Sequence, residues 1–183
     1  MNRDQAYALL TEYTSKIGLV KHALAVESAM RAYAEKFGED AESWGTVGLL
    51  HDFDYERYPT AQDHPFRGAE ILKSKGVPDE WIAAILGHAD YSGVKRETML
   101  AKTLFAVDEL AGFIVAVALV RPDRKLEGVA VSSVKKKMKD KAFAAAVSRE
   151  DIARGAQELG VGLDEHIGFV LDAMKTRASE LGL

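Results

Sequence analysis

Five histidines and no cysteine narrow the chemistry open to this chain. Without thiols it can form neither a disulfide framework nor a thiolate metal site, so His, Asp and Glu are its strong metal ligands. Three of the histidines and one aspartate fall on apolar helical stripes. His22 shares a stripe with Val26, Ala29 and Tyr33; His51 lies four residues from Val47 and seven from Trp44. His88 lies seven from Trp81 and three from Ile85, and Asp108 lies four from Leu104 and seven from Val115. Four separate helices therefore each aim one ligand-type side chain along the core-facing side. A lone carboxylate such as Asp108 would cost roughly several kcal/mol there unless paired or metal-bound. No Arg or Lys shares these faces, and one divalent cation site built from imidazole and carboxylate would satisfy all four positions together. Taken singly, each has an ordinary alternative: a hydrogen-bonded core histidine, or an interhelical ion pair for Asp108. His166, beside Ile167 and Phe169, has no companion ligand and reads as structural.

Helical periodicity dominates, with no run of alternating strands, so the expected fold class is all-α. Asp4 can cap a first helix to about Lys16, and a second runs from about Val20 to Phe37, ended by Gly38. A third starts near Asp40 and carries His51. The segment FDYERYPTAQD is a loop, after which His64-Pro65 opens a fourth helix to Gly76. Pro78 starts a fifth to about His88, ADYSGVKRET is a second loop, and Thr98 caps a long sixth helix to about Val120. Beyond Arg121-Pro122-Asp123, residues 121–183 read as an appended helical layer. It holds a basic helix at VSSVKKKMKDK, a start resembling a capping box at Ser148 and Asp151, and a last helix from about Asp164 to Glu180. Residues 1–183 are expected to form one all-α unit, with neither repeat nor low-complexity linker.

Hydrophobic residues at 48% and charged residues at 28% are ordinary for a soluble globular chain of 183 residues, so nothing forces disorder. A net charge of -4 argues against stable nucleic-acid binding. The N-terminal MNRDQAYALLTEYTSK is polar and amphipathic rather than signal-like, so the default expectation is cytoplasmic. The most apolar run, Leu104 to Val120, contains Asp108 and Glu109 and is shorter than a membrane span of about 20 residues. No motif supports a homodimer, although none excludes one.

The order His22, then His51-Asp52, then Asp108 in a helical chain resembles the HD-domain metal-dependent phosphohydrolases. GLLHDFDY looks like that family's apolar helix ending in the His-Asp doublet, and LFAVDELAG is similar to its distal-Asp helix. His64 in DHPFRGAEIL and His88 in ILGHADYSG stand where a six-ligand subgroup places two further histidines. The resemblance covers about residues 20–115. It implies an HD-domain helical bundle whose metal ligands are His22, His51, Asp52, His64, His88 and Asp108, with Asp52 bridging two metals. In the nucleotidase branch an acidic residue serves as proton donor, and Asp54 and Glu56 both match it by position.

With nitrogen and oxygen ligands only, the expected cofactor is one or two divalent ions among Mn, Fe, Co, Ni, Zn and Mg. The expected reaction is hydrolysis of a phosphate ester or anhydride by metal-activated water. Arg57, Arg67 and Lys102 are candidate phosphate-binding cations, Lys95 and Arg96 lie in the loop after His88, and Lys135, Lys136, Lys137 and Lys139 form a denser run that could cover phosphates or an acidic partner but that a solvated helix face explains better. Phe53, Tyr55 and Tyr58 are candidate stacking groups, which makes a small-molecule nucleotide the expected substrate. Two rival readings are a metal- or nucleotide-binding regulatory module without turnover and a di-iron oxygenase on the same fold.

Overall fold

Asn2, Asp40, Thr98 and Ser148 each stand one residue before an apolar-periodic run, and each caps a helix there. Their side chains accept from the backbone N–H groups of Gln5, Ser43, Ala101 and Asp151 at 2.9, 2.5, 3.2 and 3.1 Å. The computed structural model describes all 183 residues. In order the helices are α1 (Arg3–Tyr13), α2 (Ile17–Phe37), α3 (Ala41–Leu50), α4 (Phe66–Ser74), α5 (Asp79–Gly87), α6 (Met99–Leu119), α7 (Val131–Met138), α8 (Arg149–Glu158), α9 (Leu163–Lys175) and α10 (Ala178–Leu181). A 3-10 turn at Asp90–Ser92 follows α5, and there is no strand, as expected of an all-α chain.

The two longest helices, α2 and α6, run through the middle. α2 packs against α3, α6 and α9, while α6 also meets α5, α8 and α9. Leu10, Met30, Leu50, Leu104, Ile152, Ile167 and Leu181 belong to one continuous buried cluster. The C-terminal helices therefore share the core that holds α2 and α6. No helix is long and apolar enough to cross a membrane.

Four boundaries differ from expectation. The first helix is capped by Asn2 rather than Asp4, because Asn2 and Gln5 exchange side-chain and backbone hydrogen bonds. It stops at Tyr13, where Thr14 turns extended and its hydroxyl donates to the Phe53 carbonyl at 2.9 Å. The fourth helix begins at Phe66, just beyond the proline. The last helix is broken between Lys175 and Ala178, and the break delivers the Arg177 guanidinium to Glu27 at 3.0 Å.

Glu27 is fully buried in the middle of α2, and its carboxylate is met by three arginines. Arg3 from α1 approaches to 2.6 Å, Arg31 one turn along α2 to 2.9 Å, and Arg177 ahead of α10 to 3.0 Å. A carboxylate desolvated this fully is tolerated because charge-assisted hydrogen bonds surround it. The cluster ties both chain ends to α2.

Candidate metal centre

The apolar helix α3 runs directly into His51, which keeps helical backbone angles and is fully buried. Gly48 makes this possible, because a Cβ there would stand 2.9 Å from the Met30 side chain and 3.2 Å from the α2 backbone at Glu27. α3 lies close enough on α2 to bring His51 beside His22. The Gly48 carbonyl then accepts the His51 Nδ1–H at 2.7 Å. A carbonyl only accepts, so the proton sits on Nδ1 and the Nε2 lone pair points inward.

His88 and His64 are oriented in the same way. His88, directly after α5, donates Nδ1–H to the Ile85 carbonyl. His64, ahead of α4, donates Nδ1–H to Asp54 Oδ1 at 2.8 Å. Asp54 is itself fully buried, and its Oδ2 accepts the Gly68 N–H at 2.8 Å. Its carboxylate thus lies behind the His64 ring and locks the tautomer that frees Nε2.

Two triads result. In the first, His22 Nε2 lies 2.9 Å and His51 Nε2 3.3 Å from Asp108 Oδ1, with the two nitrogens 3.2 Å apart. In the second, His64 Nε2 and His88 Nε2 lie 3.2 and 3.3 Å from Asp52 Oδ1 and 3.3 Å from each other. The ligand atoms of each triad lie within 4.8 Å of one another. Asp52 spans them, for its second oxygen, Oδ2, is 3.5 Å from His51 Nε2.

Facing imidazole nitrogens with inward lone pairs repel unless a cation or a proton lies between them. The donor set of four imidazoles and two carboxylates suits a divalent ion in each triad. Protons play that part when no metal does. Burial alone would lower the His64 pKa, but Asp52 and Asp54 outweigh it and hold it at about 9. His51 and His88 are raised against the same burial penalty, chiefly by Asp52. Burial would raise Asp52 and Asp108, yet the surrounding imidazoles keep both well below the usual carboxylate range.

The triads open into a cavity of about 490 Å³. Leu19, Phe105 and Val147 form apolar wall, while Tyr55 and Tyr91, 40% and 54% exposed, stand at its mouth. Tyr55 meets the His64 ring edge-on at 5.2 Å.

Several residues singled out from the sequence lie elsewhere. Glu56 is turned to the N-terminus of α2, where it accepts from the Ser15 hydroxyl and the backbone N–H groups of Ser15 and Lys16 at 2.7, 2.8 and 2.9 Å. Neither Asp54 nor Glu56 lines the cavity as a proton donor would. Arg57 lies over the Tyr13 ring at 4.0 Å and donates to the Glu12 carbonyl. Arg67 is exposed between Asp63 and Glu70. Lys102 borders a different groove with Lys95 and Arg96. No lysine or arginine lines the cavity at all.

Conversely, Tyr91, Glu109, Val147 and Asp151 line the cavity without having been singled out for it. The start of α8 shows why Asp151 was missed. Ser148 caps through its hydroxyl, but Asp151 does not return the bond; Glu109 Oε2 takes the Ser148 N–H at 3.1 Å instead. Only half of the expected capping box forms, which leaves the Asp151 carboxylate at the cavity. Glu109 is pushed up to about 7, first by burial and then by Asp108. His166 accepts from the Tyr33 hydroxyl at 2.6 Å and donates to the Ala106 carbonyl at 2.8 Å, a satisfied core histidine bracing α6.

A comparison with protein families matches the HD domain over residues 19–112, a span that holds every member of both triads. No solved structure matches the chain.

Proposed function

The chain belongs to the HD domain family, and on that premise we propose that it is a metal-dependent phosphohydrolase cleaving a phosphate ester or anhydride, with small nucleotides as its substrate class. The observation that carries this reading is Asp52, whose two carboxylate oxygens face different His-containing triads. His22, His51 and Asp108 would hold one divalent ion, and His64, His88 and Asp52 a second, with Asp52 shared between them. Ions held there supply Lewis-acid polarisation of a phosphoryl oxygen and lower the pKa of water. Mn, Fe, Co, Ni, Zn and Mg all accept such nitrogen and oxygen donors.

The chain's own groups do the positioning. The Gly48 and Ile85 carbonyls and the Asp54 carboxylate keep protons on Nδ1 of His51, His88 and His64, so each Nε2 stays available. Leu19, Phe105 and Val147 exclude water from one side of the cavity. Tyr55 and Tyr91 offer aromatic faces at the mouth, which favours a substrate with a planar base.

Asp52→Ala tests the reading. With Mn or another divalent ion restored, the wild type releases phosphate from at least one nucleotide and the variant does not. Unchanged hydrolysis in the variant, or oxygen consumption with substrate in place of phosphate release, overturns it.

A further inference from the structure

The cavity belongs in part to residues beyond the family match. Val147 and Asp151 line it from the segment entering α8 and from α8 itself. The Ser148 N–H fixes Glu109 on the same wall. Position there is tightly set: α8 crosses α6 at Gly155, where a Cβ would stand 2.5 Å from the Ala106 Cα. Between them, α8, α6 and the 3-10 turn place three carboxylates, Asp151, Glu109 and Asp90, around the cavity in addition to Asp52 and Asp108.

No lysine or arginine lines the cavity to offset them. The nearest guanidiniums lie across the Phe105 ring, Arg96 at 3.7 Å and Arg154 at 4.8 Å from its centroid. Both are already engaged. Arg154 Nη2 bridges Asp90 Oδ2 and Asp151 Oδ1, each at 2.5 Å, while Arg96 joins Asp90 at 2.7 Å and Glu158 at 2.8 Å. These bonds lock α8 to the turn after His88, so the wall is preorganised. A phosphate chain reaching away from the triads would meet carboxylates and would have to compete for an arginine already held by two of them. A neutral hydroxyl-bearing group such as a sugar would meet hydrogen-bond acceptors.

We propose that the α8 wall is a charge filter: Asp151, with Glu109 and Asp90, admits compounds bearing a single phosphoryl group on a neutral, hydroxyl-bearing body and excludes those bearing a phosphate chain. The choice of nucleoside monophosphates over di- and triphosphates rests on the phosphohydrolase reading; the charge discrimination itself is a binding property of the cavity.

The test uses the full metal-loaded chain at about pH 8. kcat/KM for AMP and ADP is measured beside calorimetric binding of two non-hydrolysable probes, methylphosphonate and methylenediphosphonate. In Asp151→Asn, both the ADP-to-AMP ratio and the affinity of the diphosphonate relative to the monophosphonate rise about fivefold, as expected for removing one charge several Å away. Asp151→Glu, which restores the charge, returns both ratios to within about twofold of wild type. If Asp151→Asn fails to fold, Glu109→Gln carries the test, since its carboxamide oxygen keeps the Ser148 bond. Ratios unchanged in the folded neutral variants overturn the filter. A shifted phosphonate preference in a protein that cleaves neither nucleotide upholds the filter and overturns the nucleoside-monophosphate assignment instead.

Discussion

Asp54→Asn separates the orientation of a ligand from the ligand itself. The native carboxylate accepts two hydrogen bonds at 2.8 Å, from His64 Nδ1–H and from Gly68 N–H, and both of its oxygens are needed. Asparagine keeps the shape but has one acceptor and one donor. If its oxygen faces Gly68, its NH2 faces His64 and favours the tautomer with the proton on Nε2, the atom that must coordinate. If it is flipped, the NH2 opposes the Gly68 N–H in a fully buried place. Either way the charge-assisted bond is lost, and either the tautomer shifts or a buried donor goes unmatched, a destabilisation of about 1–3 kcal/mol. Loss of an orienting partner lowers metal affinity about 10–100-fold. The effect is confined to the triad of His64, His88 and Asp52, because His51 is oriented by Gly48 instead. Calorimetric titration of the metal-free variant with Mn or Zn reads the two binding steps, and urea unfolding reads stability. A variant that binds both ions as tightly as wild type would refute the assignment of Asp54 as the group that orients His64.

Four further outcomes follow from the structure. Glu27→Ala leaves three arginines converging on an empty buried site; because Arg31 and Arg177 keep Glu42 and Glu180, the loss lies near the lower end of about 3–5 kcal/mol, read by urea unfolding. Gly155→Ala forces a Cβ into the α6 backbone, destabilising the chain by about 1–3 kcal/mol and weakening metal binding through Asp108 two residues along; far-UV melting and metal titration measure the two effects. In the metal-free protein the His64 pKa of about 9 lies above its unfolded value, so this group's contribution to stability is full below about pH 6.5 and lost as pH rises through about 9. Metal uptake runs oppositely: it must displace the proton, so apparent affinity falls about tenfold per pH unit below about 9 for each proton released, measurable as proton release in weakly and strongly buffered titrations.

The inward positions of His22, His51, His88 and Asp108 were legible because each interrupts an apolar stripe at helical spacing, a local property of the chain. Asp52 and His64 came from the resemblance, since neither sits on such a stripe. The orienting role of Asp54 was not legible. It depends on a backbone N–H fourteen residues away and on the path of the turns between α3 and α4. Glu56 and Arg57 follow the chain direction of those same turns, which carry them to the start of α2 and to Tyr13. Glu27 did leave a local sign, a carboxylate inside an apolar helix with Arg31 one turn on, but Arg3 and Arg177 are tertiary partners. Asp151 was hidden by a plausible local use, half of a capping box, until Glu109 from another helix took its place.

The most direct measurement of the central claim is elemental analysis of the purified chain after reconstitution with divalent metal and removal of excess. The wild type is expected to retain one ion per triad, with retention lost at both triads in Asp52→Ala and chiefly at the second in His64→Ala. A wild-type chain that retains no divalent ion under any reconstitution, while remaining folded, would contradict it.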